Sequence, residues 1–284
     1  MTSPADKEIV LRASRGWFDL DLADVWRHRD LLILLVNREF ISKYKQTILG
    51  PAWFVLQPLM MTVVFTVIFG SVAQIPTDGL PPMLFYLAGL LGWTYFAQTF
   101  QTTASTLITN AGLFGKVYFP RLVVPLSAVI SNFLALALQL ITFVLVLAYF
   151  KFLGGGGDFG LTPALVWCPL LLVYLAAVGL GTGLWLSALT AKYRDFTMMI
   201  PFIVQVWMYA TPVIYPLSRV PEKWRWVAAI NPMTMPTEAI RLMFLGQGTV
   251  SLGSVGLSIA VTAGVLAFGV LLFNRVEKTF VDII

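Results

Sequence analysis

The sequence is poor in the side chains that most catalytic and metal sites use. It contains one cysteine, Cys168, and one histidine, His28, in 284 residues. A single cysteine can form neither an internal disulfide nor a thiolate metal cluster. Charged residues make up only 12 % of the chain, whereas apolar residues make up 58 %. Soluble domains carry about 25 % charged residues, so this composition indicates an integral membrane protein.

The sequence also lacks the motifs of nucleotide hydrolysis and of common hydrolases. Residues 112–117 come nearest to a phosphate-binding loop, but they have neither the spacing nor the hydroxyl residue of Gly-x-x-x-x-Gly-Lys-Ser/Thr. No His-Glu-x-x-His or Gly-x-Ser-x-Gly motif is present. We therefore predict a chain that is not an enzyme and holds no cofactor or metal of its own.

Six hydrophobic stretches reach the length of about 20 residues that a membrane-spanning helix needs. They lie at 52–73, 83–108, 123–150, 163–190, 196–214 and 252–274. Before them, residues 20–45 show helical spacing of apolar residues, which predicts an amphipathic helix on the membrane surface. A soluble helix packed on another part of the protein is the alternative. The predicted fold is an all-α membrane protein with an N-terminal segment, 1–51, and a six-span region, 52–284.

Lysine and arginine are distributed unevenly between the connecting segments. The N-terminal segment holds eight, and the segments 109–122 and 191–195 and the C-terminal tail hold two each. Only Lys151 and four residues of 215–251 fall on the other side. Cytoplasmic loops are enriched in these residues, so both termini are predicted to be cytoplasmic. The net charge of +5 then reflects membrane topology, and no nucleic acid partner is expected.

The segment 212–251 is aromatic but is interrupted by prolines too often to span a membrane as one helix. It predicts short re-entrant helices between the last two spans. Within it, Glu238 and Arg241 have the spacing at which side chains pair on one helix face. The segment could form a functional gate, and a surface hairpin with an ion pair at its rim is the alternative.

Polar residues recur at helical spacing along the second span: Thr94, Gln98, Gln101 and Ser105. These neutral groups could line the path of a hydroxyl-rich cargo, with neighbouring aromatic rings as stacking surfaces. Hydrogen bonding between helices is the alternative. In the fourth span, Gly179, Gly183 and Ser187 have four-residue spacing, which predicts close helix packing.

Four motifs are specific enough to compare with known families. They are Arg38-Glu39-Phe-Ile-Ser-Lys-Tyr-Lys-Gln-Thr-Ile-Leu49-Gly50-Pro-Ala-Trp53, Asn110-Ala-Gly-Leu-Phe-Gly-Lys116-Val-Tyr118-Phe-Pro-Arg121, Lys192-Tyr193-Arg194-Asp195-Phe, and Asn231-Pro-Met-Thr followed by Glu238-Ala-Ile-Arg241. Together they resemble the membrane permease of ABC-2 type exporters, most closely the branch that exports O-antigen, capsule or teichoic acid chains.

The resemblance implies a homodimer of this chain with two copies of a separate ATPase, which binds ATP and Mg²⁺. It implies a lipid-linked polysaccharide as cargo, O-antigen first, and a location in the bacterial inner membrane among membrane lipids. The ATPase would couple to Lys116, Tyr118, Arg121, Lys192, Tyr193, Arg194 and Asp195. Movement of the ATPase would be transmitted to the first span through Arg38, Glu39, Leu49 and Gly50. The cargo path would use Trp93, Tyr95, Gln98, Gln101, Tyr209, Tyr215, Trp224 and Trp226, and the outer ion pair would be Glu238 and Arg241.

Three other functions fit parts of the same pattern. A drug or lipid exporter of the ABC-2 type would share the topology and the ATPase partner. A membrane-embedded transferase is disfavoured because no acid, base or nucleophile is concentrated on one side of the membrane. A passive channel is compatible with the polar stripes. Co-purification of an ATPase would separate both exporters from the transferase and the channel.

Overall fold

A computed structural model describes residues 22–45, 47–114, 119–154 and 157–280. All regular structure within these ranges is helical, which confirms the predicted all-α class. The helices are α1 (Leu22–Arg27), α2 (Arg29–Tyr44), α3 (Trp53–Phe65), α4 (Pro82–Ala104), α5 (Thr106–Thr109), α6 (Ala111–Phe114), α7 (Val123–Phe152), α8 (Cys168–Lys192), α9 (Asp195–Ala210), α10 (Glu222–Ile230), α11 (Thr234–Leu245) and α12 (Leu252–Phe280). Short 3₁₀ turns occupy Gly50–Ala52, Pro163–Trp167 and Leu217–Arg219, and a π-helical stretch occupies Thr66–Val72.

Four helical stretches of the described chain are long and apolar enough to cross a membrane. They are Gly50–Val72, Val123–Phe152, Pro163–Lys192 and Leu252–Val276, and they match the first, third, fourth and sixth predicted spans. The second predicted span corresponds to α4, whose 23 residues reach about 34 Å, but glycine and polar residues lower its hydropathy. The fifth corresponds to α9, whose 16 residues reach only about 24 Å. The count of six spans stays a prediction.

Helix α4 lies at the centre of the bundle. It packs against α3, α7, α8 and α11, and most of its side chains are buried. Its approach to α8 is close because α8 presents glycines there. A Cβ atom at Gly179 would lie 2.8 Å from the Cγ2 atom of Thr99, and one at Gly183 would lie 2.5 Å from the Cβ atom of Thr103. The predicted close packing of this face is confirmed.

The N-terminal helix predicted over 20–45 is two helices, because the chain turns at His28; residues 20 and 21 lie outside the described ranges. Helix α2 packs against α7. Its Leu35 is buried in a second apolar cluster with residues that include Leu107 and Phe273, whereas Ile33 is exposed. Some apolar residues of the helix therefore pack on the bundle, and others are exposed.

The connection from α2 to α3 depends on Gly50. Helix α2 ends at Tyr44, and a new helical turn begins at Gly50, which has a φ of +52°. Side chains disfavour this left-handed region, and glycine does not. No atom lies within 4 Å of a Cβ built at Gly50, so the backbone angle alone requires glycine here. The predicted break between the two helices is confirmed, and the position of α2 on the membrane surface stays a prediction.

Short helices replace a continuous span in the segment 212–251, as predicted. Pro221 directly precedes α10, and Pro236 lies in the first turn of α11, where a proline costs no intrahelical hydrogen bond. Gly246 ends α11 with a φ of +74°, in the left-handed conformation that commonly stops helices. That these helices re-enter the membrane stays a prediction.

The ion pair of this segment is buried. Nη1 of Arg241 lies 2.9 Å from Oε1 of Glu238, and the two residues are 2 % and 3 % exposed. Nη2 of Arg241 donates to the carbonyl oxygen of Val213 at 2.8 Å, and its guanidinium lies 3.7 Å from the ring centre of Phe85 in α4. Oε2 of Glu238 accepts from the amide and the hydroxyl of Thr249 at 2.9 and 3.0 Å. The alternative of an ion pair at a surface rim is therefore wrong.

Helix α4 leaves room for this guanidinium at Gly89. A Cβ atom there would lie 3.1 Å from Nη2 of Arg241 and 3.0 Å from the carbonyl oxygen of Val213. Both contacts are tighter than ordinary packing, and one is to backbone. The glycine thus allows α4, α11 and the chain after α9 to meet at one charged group.

We predict that Glu238→Leu destabilises the protein by about 3–5 kcal/mol, because it leaves a buried guanidinium without its counter-charge. The double variant Glu238→Leu/Arg241→Met removes both charges and should be more stable than the single variant. Unfolding of the purified protein in detergent, followed against temperature or denaturant, measures this. Glu222→Leu, at an exposed position of α10, is the control and should unfold like wild type. A Glu238→Leu variant as stable as that control would contradict the prediction.

Candidate functional site

The predicted polar stripe is the accessible face of α4. Thr94, Gln98, Gln101 and Ser105 are all half-buried. The residues between them on the other faces are mostly buried, including Phe96 and Phe100. A helix at the centre of the bundle therefore exposes a neutral polar strip and hides its apolar faces.

Most hydroxyl groups along this strip bond to the backbone of their own helix. Thr94 donates to the carbonyl oxygen of Leu90. Ser105 donates to that of Gln101 at 2.9 Å, and Thr102 donates to that of Gln98 at 2.7 Å. The side-chain amides of Gln98 and Gln101 make no hydrogen bond within the described part of the chain. These two amides are the groups of the strip that are free to bind another molecule.

The two aromatic residues predicted beside them point away from the strip. Trp93 and Tyr95 are 4 % and 1 % exposed. The ring of Tyr95 stacks on Phe133 of α7 at 4.8 Å, and the ring of Trp93 lies 5.2 Å from Phe96. Within this chain they support the strip from behind, and their contact with a cargo stays a prediction.

The four outer aromatic residues of the predicted path lie on and between α9 and α10. Tyr209, Trp224 and Trp226 are exposed, and Tyr215 is half-buried. The hydroxyl of Tyr215 donates to the carbonyl oxygen of Tyr209 at 3.2 Å, so this pair is brought together. No hydrogen bond within the described chain joins these four residues to Gln98 or Gln101.

Trp207 of α9, which was not predicted as a site residue, connects α9 to α4. Its ring packs edge-on against Phe96 and Phe100 of α4, at 4.9 and 6.1 Å. Its Nε1 donates to Oδ1 of Asn231 at 3.0 Å. Asn231 also donates to Thr211 at 2.9 Å. A tryptophan 24 residues before an Asn-Pro motif would not have been distinguished from the other aromatic residues by sequence.

The predicted coupling residues divide into two groups. Lys116 and Tyr118 lie outside the described residues. The guanidinium of Arg121 lies 5.7 Å from the ring centre of Phe114, which holds this part of the loop against α6.

The turn between α8 and α9 holds the other coupling residues. Lys192, Tyr193, Arg194 and Asp195 are all exposed, and Nζ of Lys192 lies 5.2 Å from the ring centre of Tyr193. Asp195 begins α9, where a carboxylate is favoured by the helix dipole. This short charged turn is available to a partner protein.

The transmission residues contact the first coupling loop. Nη2 of Arg38 in α2 donates to Oδ1 of Asn110, between α5 and α6, at 3.4 Å. Arg38 also lies 4.0 Å from Glu39, and Leu49 is exposed. The structure thus joins the transmission segment around Arg38 to the loop that follows α5.

A chain of hydrogen bonds leads from α2 into the bundle. Nζ of Lys43 donates to Oδ1 of Asn132 in α7 at 2.9 Å. Nδ2 of Asn132 donates to Oγ1 of Thr99 in α4 at 3.2 Å. Both Asn132 and Thr99 are fully buried. We call Lys43, Asn132 and Thr99 the polar relay.

The amine of Lys43 is partly shielded from water by this arrangement. Burial lowers the pKa of Lys43, and the carboxylate of Glu39 raises it and offsets part of the effect. Sequence reasoning missed the polar relay, although an asparagine in the middle of an apolar span was a signal for Asn132. Lys43 gave no such signal, because it reads as one more charge on a surface helix.

We predict that Asn132→Leu loosens α2, because it leaves the half-buried amine of Lys43 without an acceptor, at a cost of about 1 kcal/mol. Hydrogen exchange of the amides of Arg29–Tyr44 should become faster. Lys43→Met removes the amine itself and should have a smaller effect, and the double variant should resemble Lys43→Met. Lys45→Met, at an exposed position two residues away, is the control. Equal exchange in Asn132→Leu and wild type would contradict the prediction.

Comparison with known proteins identifies relatives that are similar to most of this chain. The chain is 27 % identical over 260 residues to the O-antigen export system permease protein RfbA of Klebsiella pneumoniae, covering 90 % of this chain and 95 % of that protein. It is 29 % identical over 223 residues to RfbA of Myxococcus xanthus, covering 78 % and 82 %. It is 22 % identical over 252 residues to the polysialic acid transport protein KpsM of Escherichia coli, covering 86 % and 92 %.

The family comparison covers the helices that carry the strip, the coupling turn and the buried ion pair. A family model described as ABC-2 type transporter matches residues 30–245. This range includes α2 from its second residue, α3 to α10 and the whole of α11. The chain belongs to the ABC-2 type transporter family.

Proposed function

We propose that this chain is the permease of an ATP-driven exporter that moves a lipid-linked polysaccharide, O-antigen first, from the cytoplasm across the inner membrane. The names of the relatives, two O-antigen permeases and a polysialic acid transporter, support this cargo class. The structural observation that carries the proposal is the accessible strip of α4. It offers the free amides of Gln98 and Gln101 and no charged group.

The chemistry of the strip suits sugar hydroxyl groups. An amide both donates and accepts hydrogen bonds, as a hydroxyl does, so Gln98 and Gln101 can bind a sugar in several orientations. A neutral surface also lets a long chain slide, since no ion pair has to break at each step. An apolar drug would leave these amides unpaired, which is costly, and this favours a glycan over a drug.

We further propose that two copies of the chain enclose the path. In the most apolar stretches of Gly50–Val72 and of Leu252–Val276, only 17 % of the residues are buried within this chain. The exposed remainder leaves surface for a second copy and for membrane lipids. Six spans, with α4 and α9 included and both termini in the cytoplasm, complete the arrangement. Helices α10 and α11 would re-enter the outer leaflet, with Tyr209, Tyr215, Trp224 and Trp226 at the exit.

Two copies of a separate ATPase would supply the energy, and they would bind ATP and Mg²⁺. Their docking surface would be the exposed turn of Lys192, Tyr193, Arg194 and Asp195, together with Lys116, Tyr118 and Arg121. Movement of this surface would reach α2 through the contact of Arg38 with Asn110. From α2 it would pass through Glu39, Leu49 and Gly50 to the first span.

Deletion of the gene in the bacterium that carries it tests the proposal. Lipid-linked glycan should build up on the cytoplasmic face of the inner membrane and should disappear from the cell surface. The wild-type gene should restore surface glycan, and a tagged copy should retain an ATP-hydrolysing partner when its native neighbours are expressed. Unchanged surface glycan in the deletion strain would refute the cargo, and a pure tagged protein without ATPase would refute the exporter.

We predict that Gln98→Leu/Gln101→Leu lowers surface glycan by about two- to tenfold for each lost hydrogen bond, because the strip no longer binds sugar hydroxyl groups. The amount of ATPase that co-purifies should not change. Gln247→Leu is the control, since Gln247 is an exposed amide in the loop after α11 and belongs neither to the strip nor to Gly50–Val72. Export equal in the double variant and the control would exclude the strip as the path.

A further inference from the structure

The side-chain amide of Asn231, in the Asn-Pro motif, uses every hydrogen bond that this group can make. Its Oδ1 accepts from Nε1 of Trp207 and from the backbone amide of Met233, both at 3.0 Å. Its Nδ2 donates to the carbonyl oxygen of Ala210 at 3.2 Å and to Oγ1 of Thr211 at 2.9 Å. An amide oxygen accepts two such bonds, and an amide nitrogen donates two. One half-buried side chain therefore joins four positions of the chain.

These bonds bring three helices together. Ala210 is the last residue of α9, where carbonyl oxygens have no donor within the helix, and Met233 directly precedes α11. The backbone of Asn231 continues α10, because its amide donates to the carbonyl oxygen of Val227 at 3.2 Å. Asn231 is thus the joint at which α9, α10 and α11 meet.

The residue after this joint is fixed to the rest of the bundle. The hydroxyl of Tyr174 in α8 donates to the carbonyl oxygen of Pro232 at 2.8 Å. The same hydroxyl accepts from Oγ1 of Thr262 in α12 at 2.9 Å. Helices α8 and α12 pack against each other. Pro232 is therefore a fixed point about which the preceding helix, α10, can turn.

Helices α9 and α10 are held to the bundle by few side chains. Among the 16 described residues of α9, the buried ones are Ile200, Val204 and Met208, which form one narrow seam at four-residue spacing. Trp207 adds an edge-on contact with α4. Among the nine described residues of α10, only Ala228 is buried. Segments with few buried apolar contacts move at the lowest cost, so α9 and α10 are the mobile partners of the joint.

Helix α9 also leads to the surface at which the ATPase would dock, since it begins at Asp195 in the exposed turn after α8. Its 16 residues span about 24 Å, so one helix reaches from that turn to the joint. We propose that Asn231 is a positioning residue for export, because it makes α10 turn about Pro232 when an ATPase moves the start of α9. The exposed rings of Trp224 and Trp226 on α10 would move with it.

This role of Asn231 rests on the ATPase partner proposed above, and it adds a second route of movement. The route through Arg38 and Asn110 leads to α2 and the first span. The route through α9 leads to the segment 212–251 without passing through α2. Nucleotide-dependent movement of α10 can be measured separately from the presence of the ATPase and of surface glycan, so the two proposals can fail independently.

The test measures hydrogen exchange of the α10 amides, Glu222–Ile230, in the purified complex of permease and ATPase. The complex is compared without nucleotide and trapped with ADP and vanadate, and wild-type α10 should exchange differently in the two states. Asn231→Leu should reduce this difference by at least about fivefold, the lower end of typical coupling between two sites. A merely structural role would change exchange in both states alike.

Three further variants separate the joint from general damage. Asn231→Asp preserves shape and both accepted bonds, but it replaces the donors to α9 by an oxygen, so it should act like Asn231→Leu. Trp207→Phe keeps an aromatic ring and loses one donor, so it should reduce the difference in part. Gln247→Leu removes an exposed amide elsewhere in the segment 212–251 and should keep the wild-type difference.

Export should separate from ATP hydrolysis in the same variants. In Asn231→Leu, surface glycan should fall by at least about fivefold, whereas ATP hydrolysis should stay within about twofold of wild type. If Asn231→Leu aggregates, the shape-preserving Asn231→Asp decides the question.

An equal nucleotide-dependent difference in wild type and in the Asn231 variants overturns the joint and leaves the exporter intact. Equal exchange of α10 in both states of a wild-type complex that hydrolyses ATP and exports glycan also overturns it. A permease that retains no ATPase refutes the exporter, and with it the movement that the joint would transmit.

Discussion

The buried guanidinium of Arg241 constrains the arrangement of the segment 212–251 against the bundle. A charge out of water needs every partner it can reach, and these partners come from three places in the chain. Glu238 lies on the same helix, the carbonyl oxygen of Val213 follows α9, and the ring of Phe85 lies on α4. None of these elements can shift alone without exposing the charge to an apolar environment. The segment 212–251 is therefore bound to the central helix α4 rather than resting on it.

Helix α4 is the element that the two polar networks share. At one end it holds Phe85 and Gly89 against Arg241, and further along it holds Thr99 at the end of the polar relay. Between Gly89 and Ser105 runs the strip with the free amides of Gln98 and Gln101. A displacement of α2 by a partner would pull on Asn132 and Thr99 and hence on the helix that carries the strip. Movement of the ATPase and contact with the cargo would thus act on the same helix, α4.

Sequence reasoning predicted the helices well and the partners of their side chains poorly. Hydropathy locates α3, α7, α8 and α12 because crossing a bilayer demands a long apolar run. The spacing of Glu238 and Arg241 predicted their contact, but Val213 and Phe85, which decide their burial, are 28 and 156 residues from Arg241. Trp93 and Tyr95 were assigned to the path by residue type, although at 100° per residue they lie about 100° to either side of Thr94 in the strip. Contacts between distant residues carry no periodic signal.

The polar relay also bears on how the protein is made. Lys43 is synthesised first, and its acceptor Asn132 follows 89 residues later. At about 5–20 residues per second, the ribosome needs about 4–18 s to cover that distance. Until then the amine of Lys43 has water or lipid headgroups as partners, so α2 must wait outside the bundle. The docking of α2 onto α7 therefore follows the synthesis of α7, although α2 itself is made well before it.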